Sequence, residues 1–258
     1  MLKYSKANSK LEELIQVAEL QQFLEGKRKV YSLDLLSGFS CPFAKDCLSK
    51  VVENDGKHTL VDGPHTLFRC FSASQEVQYT NTYNLRKRNF EAVKGLSVVE
   101  MFEVIRAAMP KNLGICRIHV AGDFFSQNYF DAWVMMAKAH PDRLFYAYTK
   151  SLTYWLRRRD DIPENLVLTA SFGGRLDSKI ETEKLRSSVV VYSVQEAIDK
   201  GLEIDHTDEH AAIPSTRDQD FALLIHGTQP KGSVAGAAIK ELKRKNVKFS
   251  YSRKVVNA

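Results

Sequence analysis

From residue 115 onward the chain alternates short apolar runs with amphipathic stretches of helical period, and this alternation restricts the fold more than any other feature. Runs at 115–120, 144–148, 166–169, 189–192 and 221–225 read as strands. Helical patterns lie between and after them at 128–139, 152–159, 194–200 and 234–245. An earlier run at 30–36 reads as another strand, and 98–109 as a helix stopped by Pro110. Leu11, Leu14, Ile15, Ala18, Leu20 and Phe23 approximate a helical period, which predicts an N-terminal helix over about 10–25.

Strands that alternate with helices pair in parallel, with each helix serving as a crossover. The fold is then either an open doubly wound sheet or a barrel, and six strands are too few for a closed barrel of eight. The expectation is one α/β domain over 1–258, built as a partial (βα)6 TIM-like barrel, with a basic C-terminal helix and tail over about 234–258. No internal repeat or linker divides the chain. With 44% hydrophobic and 26% charged residues it can bury a full core, which excludes a disordered chain.

In parallel α/β folds the carboxyl ends of the strands gather on one face, so the residues directly after each strand deserve reading as a set. They are Ser40-Cys41-Pro42, Ala121-Gly122-Asp123, Thr149-Lys150-Ser151, Ser171 to Arg175, Ser193, and His226-Gly227-Thr228-Gln229-Pro230. Serines such as Ser126 and Ser151 are suited to capping helices, and Asp123 to satisfying backbone amides. Four ionisable groups at one rim, Asp123, Lys150, Arg175 and His226, would cost stability unless they served a ligand. With Gly122 and Gln229 they form the candidate cofactor-binding set.

Cys41 and Cys47, with Cys70 further on, all follow the first strand, whereas Cys116 lies near the start of the next one. At roughly 3.3 Å per residue Cys116 is on the order of 16 Å from the strand's carboxyl end, the place of a small core residue. Four cysteines are too few for a disulfide scaffold. Three thiolates from one region suit a soft metal or an iron–sulfur cluster. A structural zinc asks for a fourth ligand, which here would be His58, His65 or Cys116. Three cysteines would instead leave one iron of a four-iron cluster open.

The layout resembles enzymes that cleave S-adenosylmethionine with such a cluster, although their CxxxCxxC spacing does not occur. Their small-small-acid turn holds the cofactor's amino group, a role that the resemblance assigns to Gly122 and Asp123. As a set, Ser40-Cys41-Pro42, Cys70-Phe71-Ser72-Ala73, Asn84 with Arg88-Asn89, Arg117-Ile118-His119 leading into Gly122-Asp123-Phe124-Phe125-Ser126, Tyr148-Thr149-Lys150-Ser151 and the stretch 221–230 resemble the phage-encoded gene product eighty-eight family. The similarity runs from about Ser32 to about Ala238. It implies a viral accessory protein on a radical-enzyme-like barrel, with a [4Fe-4S] cluster on the cysteines and S-adenosylmethionine or another small ligand at the open iron. It assigns no reaction. Members carry a further cysteine shortly before the position of Cys70, where this chain has Leu67-Phe68-Arg69.

Other functions compete. Lys+Arg of 37 against Asp+Glu of 31 leaves +6, concentrated partly at Lys240, Lys243, Arg244, Lys245, Lys248, Arg253 and Lys254. With Arg86-Lys87-Arg88, Arg157-Arg158-Arg159 and Tyr79, Tyr83, Tyr154 and Trp155, this would suit a nucleic-acid-binding protein with a structural zinc. A metal-dependent hydrolase would use Asp123, His119 and His226. No apolar run approaches the roughly 20 residues that span a bilayer, and no leader pattern is present, so a cytoplasmic location in the infected host is expected, with no membrane partner. An iron–sulfur protein also needs an electron donor, which the sequence does not identify.

Overall fold

The computed structural model describes residues 1–247, and its strands form where β-branched and aromatic residues run between turns. In chain order they are β1 (Ser5–Lys6), β2 (Lys29–Leu33), β3 (Ser49–Asn54), β4 (Lys57–Asp62), β5 (Leu113–Ile118), β6 (Leu144–Thr149), β7 (Leu166–Ser171), β8 (Ser187–Val191), β9 (Glu203–Ile204) and β10 (Phe221–Leu224). The helices are α1 (Ser9–Glu12), α2 (Gln21–Leu24), α3 (Phe71–Gln78), α4 (Thr80–Val93), α5 (Val98–Ala108), α6 (Gln127–Ala139), α7 (Leu152–Leu156), α8 (Ser178–Thr182), α9 (Val194–Asp199), α10 (Glu209–Ala212) and α11 (Val234–Arg244). Local chemistry sets their ends. Ser97 and Glu100 close a capping box on α5, and Ser126, Ser193 and Ser233 accept main-chain N–H groups at the starts of α6, α9 and α11.

Eight strands make one sheet in the order β1-β2-β5-β6-β7-β8-β10-β9, and β3 and β4 form a separate antiparallel hairpin. Every pairing in the large sheet is parallel except β1 with β2. The six expected strands are β2, β5, β6, β7, β8 and β10, and their order in the sheet follows their order in the chain. The sheet is open. Its edges are β1 and β9, two residues each and too short to register as apolar runs.

One face of the sheet packs under α4, α5 and α6 in a core that includes Trp133, Tyr129, Phe130, Phe145 and Ile118. Cys116 sits in this core with no exposed surface, as its position near the strand start predicts. The other face is covered by the N-terminal segment and α10, whose Leu11, Leu14, Leu20, Ala211 and Ala212 lie on Val30, Ile115, Tyr146, Val167 and Phe221. Full burial of each leucine stabilises by about 1.5–3 kcal/mol. The two covering segments meet: Lys10 Nζ lies 2.6 Å from Asp208, and Ser215 N–H donates to Glu19 at 3.1 Å.

The continuous helix expected over 10–25 is not formed. Val17 has extended backbone (φ −76°, ψ 119°) and Gly26 is left-handed, so the segment breaks into α1, two 3-10 turns and α2. Short turns serve the packing better, since all three leucines then reach the sheet with no exposed surface. The C-terminal helix matches its expectation at Val234–Arg244. Lys248, Arg253 and Lys254 lie outside the described residues. Among those described, no helix is long and apolar enough to cross a membrane.

Candidate functional site

The loop from β2 carries Cys41, and a glycine presses it against the hairpin. Gly38 has φ +74°, and a Cβ there would stand 2.6 Å from the Ser49 carbonyl oxygen. Ser49 opens β3, two residues after Cys47, and its Oγ accepts the main-chain N–H of Cys70 at 3.2 Å. The carbonyl of Asp46 accepts from Leu67 and Phe68, at 2.7 and 3.1 Å, which lays the approach to Cys70 alongside Cys47. Gln229 fixes that approach from the far side, accepting from Arg69 N–H at 2.7 Å and donating to the Arg69 carbonyl at 3.0 Å.

Glu76, on the helix that begins at Cys70, completes the arrangement. Its Oε1 accepts from Ser37 N–H and Ser37 Oγ–H, at 3.1 and 2.7 Å, and so ties α3 to the turn that precedes Cys41. Arg86 adds an ion pair at 3.2 Å, with both side chains buried. The Cys41–Cys47 loop and the segment of Cys70, more than twenty residues further on, are therefore held together by buried and partly buried hydrogen bonds rather than by side-chain packing alone.

The thiols lie within electrostatic reach of one another. Burial raises the pKa of Cys41 well above its ordinary value, and Asp123, Cys70 and Cys47 push it further in that order. Burial likewise raises Cys70, with Cys47 adding to it, against hydrogen bonds from the main chain of Ala73 and Ser72 at the start of α3. All four cysteines are free thiols. The donor set is soft and gathered, which suits a thiophilic metal. Its sulfurs are not at ligation spacing: among the described residues no group of three or more His, Cys, Asp or Glu side chains stands ready to hold a metal. Ligation would have to draw them inward.

Asp123 is buried, and its Oδ1 accepts from Phe124 N–H at 2.7 Å and Thr149 Oγ1–H at 2.6 Å. Its Oδ2 accepts from Lys150 N–H at 2.9 Å, so three of about four lone-pair positions are used. Burial pushes its pKa up to about 6 against these bonds and the nearby charge of Lys150. Asp123 thus fastens the end of β5 to the end of β6 and keeps one acceptor position. Gly122 (φ +90°) permits the close approach, since a Cβ would meet Ser40 Oγ at 2.5 Å.

Lys150 Nζ donates to Ser171 Oγ at 2.6 Å and to the Phe172 carbonyl at 2.8 Å, so it braces the end of β7. Arg175 is exposed, and its main-chain N–H donates to the Phe43 carbonyl at 2.8 Å. Residues 45 and 46 donate to the Gly173 carbonyl, which seats the Cys41–Cys47 loop on the same strand end. The ring of His226 lies tilted against that of Phe71, centres 4.9 Å apart, beside Cys70, and burial lowers its pKa to about 4. The Cys41–Cys47 loop thus lies against the end of β7, and Phe71, next to Cys70, against the residue two after β10.

Other groupings separate. His119 turns to the helix-covered face, with Nε2 at 3.2 Å from Tyr129 Oη, whereas His226 faces Phe71, so the hydrolase trio is not assembled. Arg86 and Tyr83 are buried, Arg158 pairs with Asp131 and Arg159 with Glu183. Tyr154 packs against Phe43 at 5.5 Å. Sequence reasoning missed Glu76 and a buried cluster of Lys10, Arg117, Asp205 and Asp208 on the inner face of the sheet. Arg117 was the available signal, a cation in the middle of an apolar strand.

Residues 2–248 match the family model described as Gene product 88. No curated protein and no solved structure matches the chain.

Proposed function

This chain belongs to the phage gene product 88 family, and we propose that it is a cluster-binding protein whose Cys41, Cys47 and Cys70 hold an iron–sulfur centre at the carboxyl ends of the parallel strands. One observation carries the reading: cross-links through Glu76, Ser49 and Gln229 tie three cysteine-bearing segments into one mouth. Sequential winding of six parallel strands supports describing the sheet as an open, partial (βα)6 barrel around that mouth. When bound, a centre of this kind supplies one-electron transfer and an open Lewis-acidic iron. The chain's own residues supply the rest. The positive charge of a bound centre would offset the mutual repulsion of the three thiolates, and the N–H groups of Ser72 and Ala73 stabilise the negative charge on Cys70.

The remaining acceptor position of Asp123 would orient the donor group of a small ligand such as S-adenosylmethionine, with Gly122 letting the turn that carries Asp123 pack closely against Ser40. The reading also requires an electron donor and a reducing compartment, which the host cytoplasm provides. Anaerobic reconstitution with iron and sulfide, followed by absorbance in the sulfur-to-iron bands and by electron paramagnetic resonance, tests the proposal. Broad absorbance that disappears in a Cys41/Cys47/Cys70 triple alanine variant supports it. A colourless protein that takes up one zinc per chain overturns it in favour of a structural zinc site.

A further inference from the structure

The sheet face covered by the N-terminal segment and α10 holds a second polar cluster, whose cavity shares His226 with the surroundings of Cys70. At its centre Asp208 is fully buried, ion-paired to Lys10 at 2.6 Å and to Arg117. It also accepts from the hydroxyls of Tyr146 at 3.1 Å and Tyr148 at 3.3 Å. Burial alone would raise its pKa, and Arg117 and Lys10 together overcome that and lower it. Beside this cluster lies a cavity of about 50 Å³, with Lys10, Arg117, Tyr148, Asp205, Asp208 and His226 among its walls. It has room for on the order of three or four waters.

Two cations and two carboxyls border the cavity, but Asp208 is already met by four donors, Lys10, Arg117, Tyr146 and Tyr148, and so has no need of the cavity's occupant. The second carboxyl, Asp205, accepts from Thr207 N–H at 2.9 Å and from the Tyr148 hydroxyl at 3.4 Å, and burial and then Asp208 raise its pKa, which weakens its hold on the two cations. The guanidinium of Arg117 lies over the Tyr148 ring at 4.9 Å, which holds the cation in place. Desolvated cations with donors already positioned are what an oxyanion requires. His206 is exposed and lies on the cavity wall, so the site communicates with solvent.

We propose that this cavity binds a small oxyanion, a carboxylate or phosphate group, against Lys10 and Arg117. The group arrives as a free ion or as the end of a larger molecule, and its binding does not depend on a metal centre at the cysteines.

Calorimetric titration of the intact chain with inorganic phosphate, and separately with sodium acetate, at constant ionic strength in chloride tests this. Saturable binding of either ion is expected, and which one binds identifies the group. Arg117→Gln and Lys10→Gln each weaken it roughly ten- to hundredfold. Asp205→Asn retains or strengthens binding, because it removes a carboxyl that competes with the anion for the two cations, and this variant keeps the proposal testable if a cation-removing variant does not fold. Dilution heat alone with both ions, binding unaffected by both cation variants, or binding abolished in Asp205→Asn overturns the proposal.

Discussion

Replacing Gly38 by alanine probes the contact that presses the Cys41 turn onto the hairpin. The residue has φ +74°, where an L side chain costs roughly 1 kcal/mol. The new Cβ would also stand 2.6 Å from the Ser49 carbonyl oxygen and 2.7 Å from Lys50 Cβ, both on a hydrogen-bonded strand that cannot swing away. Overpacking of this kind costs about 1–3 kcal/mol more, giving a total of about 2–4 kcal/mol. Gly56 is the matched control, because it shares φ +74° but a Cβ there would have nothing within 4 Å. Gly56→Ala should therefore cost only about 1 kcal/mol. Urea denaturation of the reduced, metal-free proteins reads both. A domain of ordinary stability, about 5–15 kcal/mol, survives either change, so two folded variants can be compared. Losses equal to within about 0.5 kcal/mol would show that the turn and the hairpin are not held in contact, and the reasoning that gathers the thiols would fail.

Asp123→Asn tests the burial of that carboxyl. Its pKa is about 6 folded against about 3.9 unfolded, so its contribution to stability is full below about pH 4 and is lost as pH rises through 6. The stability of the variant relative to the parent should rise by about 2 kcal/mol between pH 4 and 7, and a constant difference would contradict this. Glu76→Gln removes the anionic partner of Arg86 from a buried pair, with an expected loss of about 3–5 kcal/mol in the same denaturation assay. It also removes one of the charges that raise Cys70, so the pH midpoint of Cys70 alkylation by iodoacetamide should fall; an unchanged midpoint would place Glu76 out of reach of that thiol.

The six central strands were legible because each is a short apolar run closed by glycine, proline or polar residues, and parallel burial leaves that pattern intact. The hairpin of β3 and β4 was not, although Asp55-Gly56 is a strong two-residue turn signal. Only Val51, Val52, Leu60 and Val61 are apolar in its strands, so a reading based on apolar runs passes over it. Its role is to present Cys47 and to supply Ser49 to Cys70. The cysteines and strand-end residues could be grouped from topology alone. Asp123, Lys150 and Gln229 nonetheless proved to be fasteners between strand ends as much as groups facing a pocket, a distinction that depends on which backbone atoms come near. Glu76 gave no sign in advance, since its partners Ser37 and Arg86 lie 39 and 10 residues away. The inner-face cluster has the same cause, joining Lys10 to Asp208 across nearly the whole chain.

Ligation by Cys41, Cys47 and Cys70 is decided by iron and acid-labile sulfide per chain after anaerobic reconstitution, measured in the parent and in single alanine variants of each cysteine. About four irons and four sulfides are expected in the parent and in Cys116→Ala, falling to background in Cys41→Ala, Cys47→Ala and Cys70→Ala. Iron retained in full by all three of those variants, or lost only when Cys116 is removed, would refute a cluster held at the strand ends.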